Sequence, residues 1–495
     1  MTKLQQAASI RLMNKLFAGA AFSCILACNS ESATAQPAAV IDAKIAAYAT
    51  YEQYCMGCHG RAMEGGSGGS LIDAEWKHGS TREAIYTSIS KGIPDLGMPA
   101  YGETLTQAQM NQLVDLIESK TIPENPASAR EGFQGDKVQT LDYEIGVERW
   151  IKGVDSPWGL AFMDANTAIV TEKTGGVRVI SNILNKPTLS PKLKNIPDSN
   201  SAGQGGMLAV AVHPNYADNG WIYLAYSHNL PQDPSLAMTR VVRGKLAQGE
   251  WTNQETIWQA DASAYTSARH HYGVRLVFGP DGMLYFPIGD RGSQNRAQKL
   301  NDPAGKIHRI TPEGAIPEDN PFVAVPGAVK SVWSFGQRNP QGLAFHPVTG
   351  DLWESEHGPR GGDELNLIQP SLNYGWPEIT YGINYNGRVI TKERVRPGIE
   401  QPIWYWRPSI AVCGIDFYEG NQFPFWQNHL LVSSLANQTL RLVQIQNERV
   451  IHEEVIIRDR GRIRDVVTGP DGSIYLLING PDEILRLSVI KENMI

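Results

Sequence analysis

The dominant pattern along the chain is a pair of short apolar strands joined by a Gly, Pro or Asp turn. Six copies occur, spaced by about 50 to 70 residues, and this regular spacing indicates a repeat architecture. The copies cover Gly159–Thr171, Ala209–Tyr226, Leu276–Gly289, Leu343–Glu356, Gly414–Ser434 and Val466–Ile478. With four strands per blade, six copies predict a mainly β fold, a six-bladed β-propeller.

A helical pattern precedes these repeats. Met110, Leu113, Val114 and Ile117 follow the i, i+3, i+4, i+7 spacing of an amphipathic helix, and Thr106–Gln109 is a candidate capping box at its start. The sequence therefore predicts a small all-α domain in front of the propeller. The expected division is a small domain over 38–120, a Pro- and Gly-containing linker over 121–139 and the propeller over 140–495.

The first 35 residues have the pattern of an export leader. Basic residues precede the uncharged stretch Leu16–Ala27, which is too short to span a bilayer comfortably. Two kinds of processing stay open. Cleavage after Ala33-Thr34-Ala35 would release the protein, whereas Ile25–Cys28 resembles a bacterial lipobox that would leave Cys28 lipidated and tethered to a membrane. Both place the protein outside the cytoplasm, and the expected location is the periplasm.

The charge composition argues against one class of partner, nucleic acid. Forty-four Lys and Arg against 51 Asp and Glu give a net charge of −7. A chain with this balance has no obvious means of neutralising a phosphate backbone, so we expect no nucleic-acid partner.

The segment Cys55-Met56-Gly57-Cys58-His59 is a C-x-x-C-H motif, which is typical of covalent haem c attachment. Cys55 and Cys58 stand one helical turn apart and would add to the two vinyl groups of the haem. His59 would then reach the iron from the same side as its proximal ligand. One covalent haem c is therefore expected.

Met98 is the expected sixth iron ligand, because it lies on the turn-rich loop Gly92–Pro99 and a thioether raises the reduction potential. Three alternatives are less favoured. Met63 is too close to the attachment motif, Met110 lies on the apolar face of its helix, and His78 has the context of a surface histidine. The whole segment resembles the class I cytochromes c.

Polar residues cluster at the junctions between the strand pairs. Propellers gather their binding loops around the central channel on one face, so these residues are expected to converge. Several unpaired cations meeting there would repel one another unless they bind a polyanion. The junction residues are Gln204, His271, Arg275, Asp290, Arg338, Asn339, Glu356, Arg462 and Arg464.

These junctions resemble the soluble PQQ-dependent aldose dehydrogenases, which form the glucose/sorbosone dehydrogenase family of six-bladed propellers. The resemblance covers nearly all of residues 140–490. Four motifs carry it: R-N-P-Q-G-L from Arg338, H-G-P from His357, D-E-L-N-L from Asp363 and R-I-R-D from Arg462.

The resemblance implies a catalytic set. His271 would be the general base that takes the proton from the anomeric hydroxyl of a sugar, and Asp290 would orient it. Arg338 would stabilise the oxyanion that develops on the quinone. His270 is the alternative base, although the spacing to Arg275 favours His271.

The resemblance also implies a cofactor-binding set. Gln204 and Asn339 would hold PQQ, with Arg338 beside them, and Trp406 would pack on its flat face. Arg462 and Arg464 would meet its carboxylates. Calcium would lie at the backbone carbonyls of Gly358 and Pro359.

One departure from the family stands out. The family often carries a Lys after the second strand of the fifth copy, whereas this chain reads Ser434-Leu435-Ala436-Asn437. Loss of that cation is expected to weaken quinone binding or to change the substrate preference.

The combined expectation is a quinoprotein oxidoreductase that oxidises an aldose at C1 to a lactone. Its electrons would pass through the fused haem to an external acceptor, such as a soluble cytochrome or a component of a respiratory chain. Two other classes remain open. One is a non-catalytic propeller that binds a carbohydrate or a protein, with the cytochrome as an electron-transfer module, and the other is a calcium-dependent lactonase.

Overall fold

The computed structural model describes residues 46–51, 53–55, 59, 63, 71, 76, 78–94, 98–120 and 136–493. The expected leader over 1–35 with Cys28, the expected haem-attachment cysteine Cys58, and residues 121–135 of the expected linker lie outside this part of the chain. Within the described residues, no helix has both the length and the apolar character that a membrane span requires.

Six antiparallel sheets form the body of the protein. In chain order, the strands before the second blade are β1 (Asp136–Gln139), β2 (Tyr143–Lys152), β3 (Pro157–Phe162), β4 (Thr167–Glu172), β5 (Gly176–Ser181) and β6 (Thr188–Leu189). Blades 2 and 3 consist of β7 (Met207–Val212), β8 (Ile222–Leu230), β9 (Asp233–Ala247), β10 (Glu250–Gln259), β11 (Val277–Phe278), β12 (Leu284–Ile288), β13 (Lys306–Ile310) and β14 (Val332–Phe335).

Blades 4 to 6 continue this arrangement. Their strands are β15 (Pro340–Phe345), β16 (Leu352–Glu356), β17 (Asp363–Ile368), β18 (Trp404–Trp406), β19 (Val412–Phe417), β20 (Leu430–Ser434), β21 (Leu440–Gln446), β22 (Arg449–Ile457), β23 (Arg462–Thr468), β24 (Ile474–Asn479) and β25 (Glu483–Glu492). The sequence prediction of a six-bladed propeller is confirmed, and each sequence copy forms the first two strands of one blade.

The ring closes within blade 6. The strand order β1-β2-β25-β24-β23 places two strands from the start of the propeller on the outside of three strands from its end. Tyr143 pairs with Glu492 and Lys152 with Glu483, so the pairing runs along the whole of β2. Backbone hydrogen bonds between distant parts of the chain therefore hold the ring shut.

Apolar side chains between neighbouring blades form the core. The cluster between blades 2 and 3 contains Trp158, Leu208, Tyr223, Phe286 and Ile288, all buried. Because strand side chains alternate in direction, each blade presents apolar residues to both neighbours.

Each blade has two ends with different roles. In blade 5, Phe417 pairs with Leu430 beside the turn that joins β19 to β20, and Val412 pairs with Ser434 at the opposite end. We call the end with the turns between first and second strands the hairpin face. The other end, where second strands finish and first strands begin, is the junction face.

Two helices of the N-terminal domain are fully delimited, α1 (Arg82–Lys91) and α2 (Gln107–Lys120), and residues 46–51, 53 and 54 are also helical. The predicted capping box is confirmed, since the Thr106 N–H donates to Gln109 Oε1 and the Gln109 N–H donates to Thr106 Oγ1. The four apolar residues predicted to form one face of α2 are all buried. Short helices in the propeller are α3 (Tyr216–Asn219) and the 3₁₀ turns Ala262–Ala264, Gln294–Gln298 and Pro424–Trp426.

The N-terminal domain contacts the hairpin face of the propeller. Tyr48 packs on Phe425 with ring centroids 5.4 Å apart, and Phe425 lies in the 3₁₀ turn between β19 and β20. The Phe425 N–H donates to the Tyr143 hydroxyl at 2.9 Å, which ties the contact to the first residue of β2.

Arg275 joins four blades at the centre of the ring. Its guanidinium donates to the carbonyls of Gln341 in blade 4, Trp158 in blade 1 and Arg464 in blade 6, at 3.0, 3.2 and 2.7 Å. It also pairs with Asp465 at 3.3 Å, and both side chains are about nine-tenths buried. One charged side chain therefore binds backbone carbonyls of three other blades and a buried carboxylate.

Replacing Arg275 with Met is expected to lower the free energy of unfolding by about 3–5 kcal/mol, since it leaves the buried Asp465 carboxylate unpaired. Denaturant unfolding of the holoprotein measures the change. The matched control is Arg460→Met, because the ion pair of Arg460 with Asp136 is exposed and its loss is expected to cost only about 0–1 kcal/mol. Equal effects of the two substitutions would contradict a central role for Arg275.

Candidate functional site

Two adjoining cavities open on the junction face, and Gln204 lines both. The outer cavity has a volume of about 460 Å³ and is lined by Gln204, His270, His271, Asp290, Gly292, Gln294, Arg338, Trp376 and Tyr385. The inner cavity has a volume of about 160 Å³ and is lined by Trp158, Lys173, Gly203, Gln204, Gly273, Asn339, Gln341, His357, Leu435, Arg462 and Arg464.

The strand order explains why these residues meet. A residue that follows a second strand lies at the junction face, as do Lys173 after β4, Asp290 after β12, His357 after β16 and Leu435 after β20. Residues that precede or begin a first strand lie at the same face, as do Arg338 and Asn339 before β15, Gln204 before β7, and Arg462 and Arg464 in β23.

His271 and Asp290 form the central pair of the outer cavity. His271 Nδ1 lies 2.6 Å from Asp290 Oδ1, and the second carboxylate oxygen accepts the Trp376 indole N–H at 2.7 Å. The Gly292 N–H also donates to Asp290 Oδ1 at 2.7 Å. The carboxylate is therefore held on both oxygens, and it fixes the orientation of the imidazole.

The backbone conformation and its neighbours fix the position of His271. His271 has a left-handed conformation with φ 56°, which is uncommon for a residue other than glycine. Its N–H donates to Gln204 Oε1 at 2.8 Å. A Cβ on Gly289 would come within 2.5 Å of the His271 carbonyl, so glycine is required where β12 passes this loop.

Of the two adjacent histidines, His271 is the one bonded to Asp290. The rings of His270 and His271 meet edge to face with centroids 4.7 Å apart, and both line the outer cavity.

Charge and burial set the protonation of this pair. Burial lowers the pKa of His271, and the positive charge of Arg338 lowers it further, while the hydrogen bond to Asp290 opposes them only in part. Burial alone would raise the pKa of Asp290, but the hydrogen bond from His271 and the charge of Arg338 together hold it below its usual value. At neutral pH the pair is therefore a neutral imidazole and a carboxylate, which leaves His271 Nε2 as a proton acceptor.

Arg338 lines the outer cavity, and the next residue, Asn339, lines the inner one. Its Nη1 donates to the His357 carbonyl at 2.8 Å, and its guanidinium lies 5.2 Å from the centroid of the Trp376 ring. The backbone N–H groups of Arg338 and Asn339 both donate to Glu356 Oε2. A buried carboxylate thus fixes the backbone that presents Arg338 and Asn339.

Cations and an aromatic surface line the inner cavity. The Arg464 guanidinium stacks over the Trp158 ring at 4.1 Å and its Nε donates to Asn479 Oδ1 at 3.1 Å. Arg462 and Lys173 line the same cavity. Burial lowers the pKa of Arg464, and the positive charges of Arg275 and Arg462 act in the same direction.

Trp406, the expected aromatic partner of the cofactor, lies in the core of the propeller. Trp406 is 5% exposed, its indole N–H donates to Glu453, and it packs in the core between blades 4 and 5. It lines neither cavity. Trp158 and Trp376 take the cavity positions instead, because β18, which contains Trp406, is the outermost strand of its blade.

Lys173 is a site residue that the sequence analysis missed. Burial, and then the charge of Arg464, lowers its pKa, and its Nζ donates to the Ser201 carbonyl at 3.1 Å. Ala436 follows the cavity residue Leu435 but does not line the cavity itself. In blade 1 the residue directly after the second strand is therefore a lysine, whereas in blade 5 the residue at the same position is Leu435, which has no charge. A lysine directly after an apolar second strand was the signal available in the sequence.

The expected calcium ligands lie beside the inner cavity but not in its wall. The Gly358 N–H donates to Asp363 Oδ1 at 2.9 Å, and the Pro359 carbonyl accepts the Ser409 hydroxyl at 3.0 Å. The described residues contain no group of three His, Cys, Asp or Glu that could hold a metal.

The haem-attachment segment is described at Cys55 and His59. The His59 N–H donates to the Cys55 carbonyl at 3.0 Å, so the two residues are one helical turn apart. Cys55 packs against the apolar core of the small domain together with Tyr54 and Trp76. These apolar neighbours suit the faces of a haem macrocycle.

Met98 is held on its loop by two backbone hydrogen bonds with Ile93, at 2.9 and 3.1 Å. Among the alternatives, Met63 and Met110 are buried in the core of the domain, and His78 is exposed.

A six-bladed propeller with a His–Asp pair beside a cation-lined cavity defines the class of propeller sugar dehydrogenases. The family model described as Glucose / Sorbosone dehydrogenase matches residues 154–486, and the one described as Cytochrome C oxidase, cbb3-type, subunit III matches residues 43–117. The chain belongs to the glucose/sorbosone dehydrogenase family and carries a cytochrome c domain in front of the propeller.

Individual relatives agree with this assignment. The chain is 39% identical over 350 residues to Aldose sugar dehydrogenase YliI of Escherichia coli (strain K12), a match that covers 70% of this chain and 93% of that protein. The crystal structure of the soluble aldose sugar dehydrogenase of E. coli in its apo form is similar with a TM-score of 0.66 and 38% identity, covering 70% of this chain and 99% of that one. The PQQ-bound aldose sugar dehydrogenase of Streptomyces coelicolor gives a TM-score of 0.56 and 26% identity, covering 70% and 98%.

Replacing Lys173 with Met is expected to weaken PQQ binding to the apoprotein by about tenfold or more, because a charge-assisted hydrogen bond contributes about 1.5–3 kcal/mol. Fluorescence titration of the apoprotein with PQQ measures the dissociation constant. Adding Ala436→Lys to this variant is expected to restore part of the affinity. Lys194→Met, at an exposed lysine outside both cavities, is the control, and an unchanged dissociation constant for Lys173→Met would refute the assignment.

Proposed function

We propose that this protein oxidises an aldose at C1 to a lactone, uses PQQ as the hydride acceptor and passes the electrons through its own haem c to an external carrier. The observation that carries the proposal is the His271–Asp290 pair, which lies directly beside a cavity lined by Lys173, Arg462 and Arg464. A proton acceptor next to a strong anion site suits the oxidation of an alcohol by an anionic quinone.

His271 provides the base. Its Nδ1–H is held by Asp290, so Nε2 can take the proton from the anomeric hydroxyl of a sugar in the outer cavity. Asp290 stabilises the imidazolium that forms, and the Trp376 indole N–H keeps the carboxylate in place. The quinone, when bound, supplies a carbonyl that accepts the hydride from C1.

The inner cavity provides the cofactor site. PQQ carries three carboxylates, and Lys173, Arg462 and Arg464 would meet them while Trp158 packs on the flat ring system. Arg338 would hold the oxyanion side of the quinone, with Gln204 and Asn339 as hydrogen-bonding partners. Calcium at Gly358 and Pro359 is part of the proposal as the Lewis acid of the site.

The cytochrome domain provides the exit for electrons. Sugar oxidation releases two electrons and a haem iron takes one at a time, so each turnover needs two one-electron transfers. His59 and Met98 would be the axial ligands, with attachment at Cys55 and Cys58. We further propose that the protein works outside the cytoplasm, as the leader implies, where a soluble cytochrome or a respiratory-chain component could accept the electrons.

Replacing His271 with Ala is expected to abolish sugar-dependent reduction of an artificial acceptor, with at least about a thousandfold loss of kcat, because His271 is the histidine of the outer cavity that Asp290 orients. The holoprotein, reconstituted with PQQ and calcium, is assayed against a panel of aldoses, and its haem spectrum should be unchanged. His270→Ala is the matched control and should retain most of the activity. Full activity of the His271 variant would exclude it as the base, and uptake of PQQ without oxidation of any sugar by the unmodified protein would favour a binding propeller.

Replacing Met98 with Ala is expected to lower the midpoint potential of the haem, because a thioether ligand favours ferrous iron. Redox titration followed by absorbance measures the potential. Sugar oxidation with a small artificial acceptor should continue at the unmodified rate, while reduction of an external cytochrome slows. An unchanged potential would show that Met98 is not an iron ligand.

A further inference from the structure

Residues 384–396, which we call the mouth loop, carry three exposed apolar side chains, one of which lines the outer cavity. Tyr385 lines this cavity and is 74% exposed, and Val389 and Val395 are 59% and 66% exposed. Three of the nine exposed large apolar side chains in the described part of the chain therefore fall within eleven residues. Such a concentration is typical of a surface that binds another macromolecule.

The mouth loop is also basic, in contrast to the chain as a whole. It contains four Arg or Lys and one Glu, a net charge of +3, whereas the chain carries −7. Arg396 pairs with Glu378 and Glu393. Arg388, Lys392 and Arg394 are exposed, and within the described residues no carboxylate lies within ion-pair distance of them. Three cations are thus available to an acidic partner.

Hydrogen bonds and stacking fix the base of the mouth loop. The Asn384 N–H donates to the Arg388 carbonyl at 2.9 Å and the Thr380 N–H donates to the Glu393 carbonyl at 3.3 Å. Tyr381 stacks on Tyr405 with ring centroids 4.0 Å apart. The apolar and basic side chains are therefore presented from an anchored segment.

The cytochrome domain has the complementary charge. Residues 43–117 contain eight Asp and Glu against five Lys and Arg, a net charge of −3. In its own chain, however, this domain packs on the hairpin face through Tyr48 and Phe425. Strand β20 runs from beside that contact to Leu435 at the cavity, and its five residues alone span about 17 Å. A domain held on the hairpin face cannot contact the mouth loop of the same chain.

We propose that the mouth loop is the docking surface for the cytochrome c domain of a second copy of this chain, so that electrons leave the cavity of one chain through the haem of another. This inference rests on the proposed function. For each aldose converted to its lactone, two ferric haems become ferrous and two protons are released to solvent. Opposite charges speed the encounter of the two surfaces, and Tyr385, Val389 and Val395 supply apolar contact once they meet.

The first test is the rate at which sugar reduces the haem of the holoprotein, measured by stopped-flow absorbance over a hundredfold range of protein concentration. Transfer between chains requires the observed rate constant to rise with concentration. The slope of the observed rate constant against protein concentration is the quantity to compare. The triple variant R388E/K392E/R394E, which changes the net charge of the mouth loop from +3 to −3, should lower this slope at least about tenfold. A rate constant independent of concentration would show transfer within one chain and overturn the proposal.

A matched triple variant controls for net charge. K186E/K330E/R449E changes the same number of exposed cations at turns on the hairpin face and should leave the slope within about twofold, because these positions lie away from the mouth loop. An equal loss of slope in both triple variants would also overturn the proposal. Turnover with a small artificial acceptor distinguishes failure of the proposed function from failure of the docking. If the unmodified protein shows no such turnover, the proposed function is refuted. If turnover is present but the rate constant of haem reduction does not change with protein concentration, only the docking is refuted.

A second test reports contact without catalysis. Equal amounts of unlabelled and ¹⁵N-labelled holoprotein are mixed and treated with a carbodiimide that joins lysine to carboxylate directly. Mass spectrometry is expected to show mixed-isotope peptides that join Lys392 to residues 43–117, and R388E/R394E, which keeps Lys392, should reduce their yield. Links from Lys392 to this domain in single-isotope peptides only, or no links to it, would contradict docking between copies.

Discussion

The guanidinium of Arg275 is the point on which the centre of the ring depends. It binds carbonyl groups of blades 1, 4 and 6 from its own place in blade 3. Two of those carbonyls belong to Trp158 and Arg464, whose side chains form the wall of the inner cavity. The same buried charge that holds the blades together therefore sets the spacing between the aromatic surface and the cations available to an anionic cofactor.

The division of the propeller into two faces organises its chemistry. Second strands finish and first strands begin at the junction face. The regular repeat of the blades is therefore enough to bring one or two side chains from each of several blades to a common cavity. The His271–Asp290–Trp376 chain adds a group from the long connection between β17 and β18. That connection also carries the mouth loop, which links the wall of the cavity to the surface where a partner would bind.

Much of this arrangement could be predicted from the sequence, because local patterns encode it. The six strand pairs and the Thr106–Gln109 capping box depend on short-range periodicity and spacing, and both are confirmed. Which tryptophan lines a cavity depends instead on whether its strand is inner or outer, and the sequence pattern around Trp406 does not reveal that β18 is outermost. Lys173 directly follows an apolar second strand, but its meeting with Leu435 and Arg464 at one cavity depends on the closure of the ring.

The position of β1 and β2 in the chain has a consequence for proteolysis. Both strands follow residues 121–135, so a cut in that segment would leave the closing strands with the propeller and the ring intact. The N-terminal fragment would then be held by non-covalent contacts such as that of Tyr48 with Phe425. A single cleavage would thus separate the dehydrogenase propeller from the cytochrome c domain and leave every strand of the propeller in place.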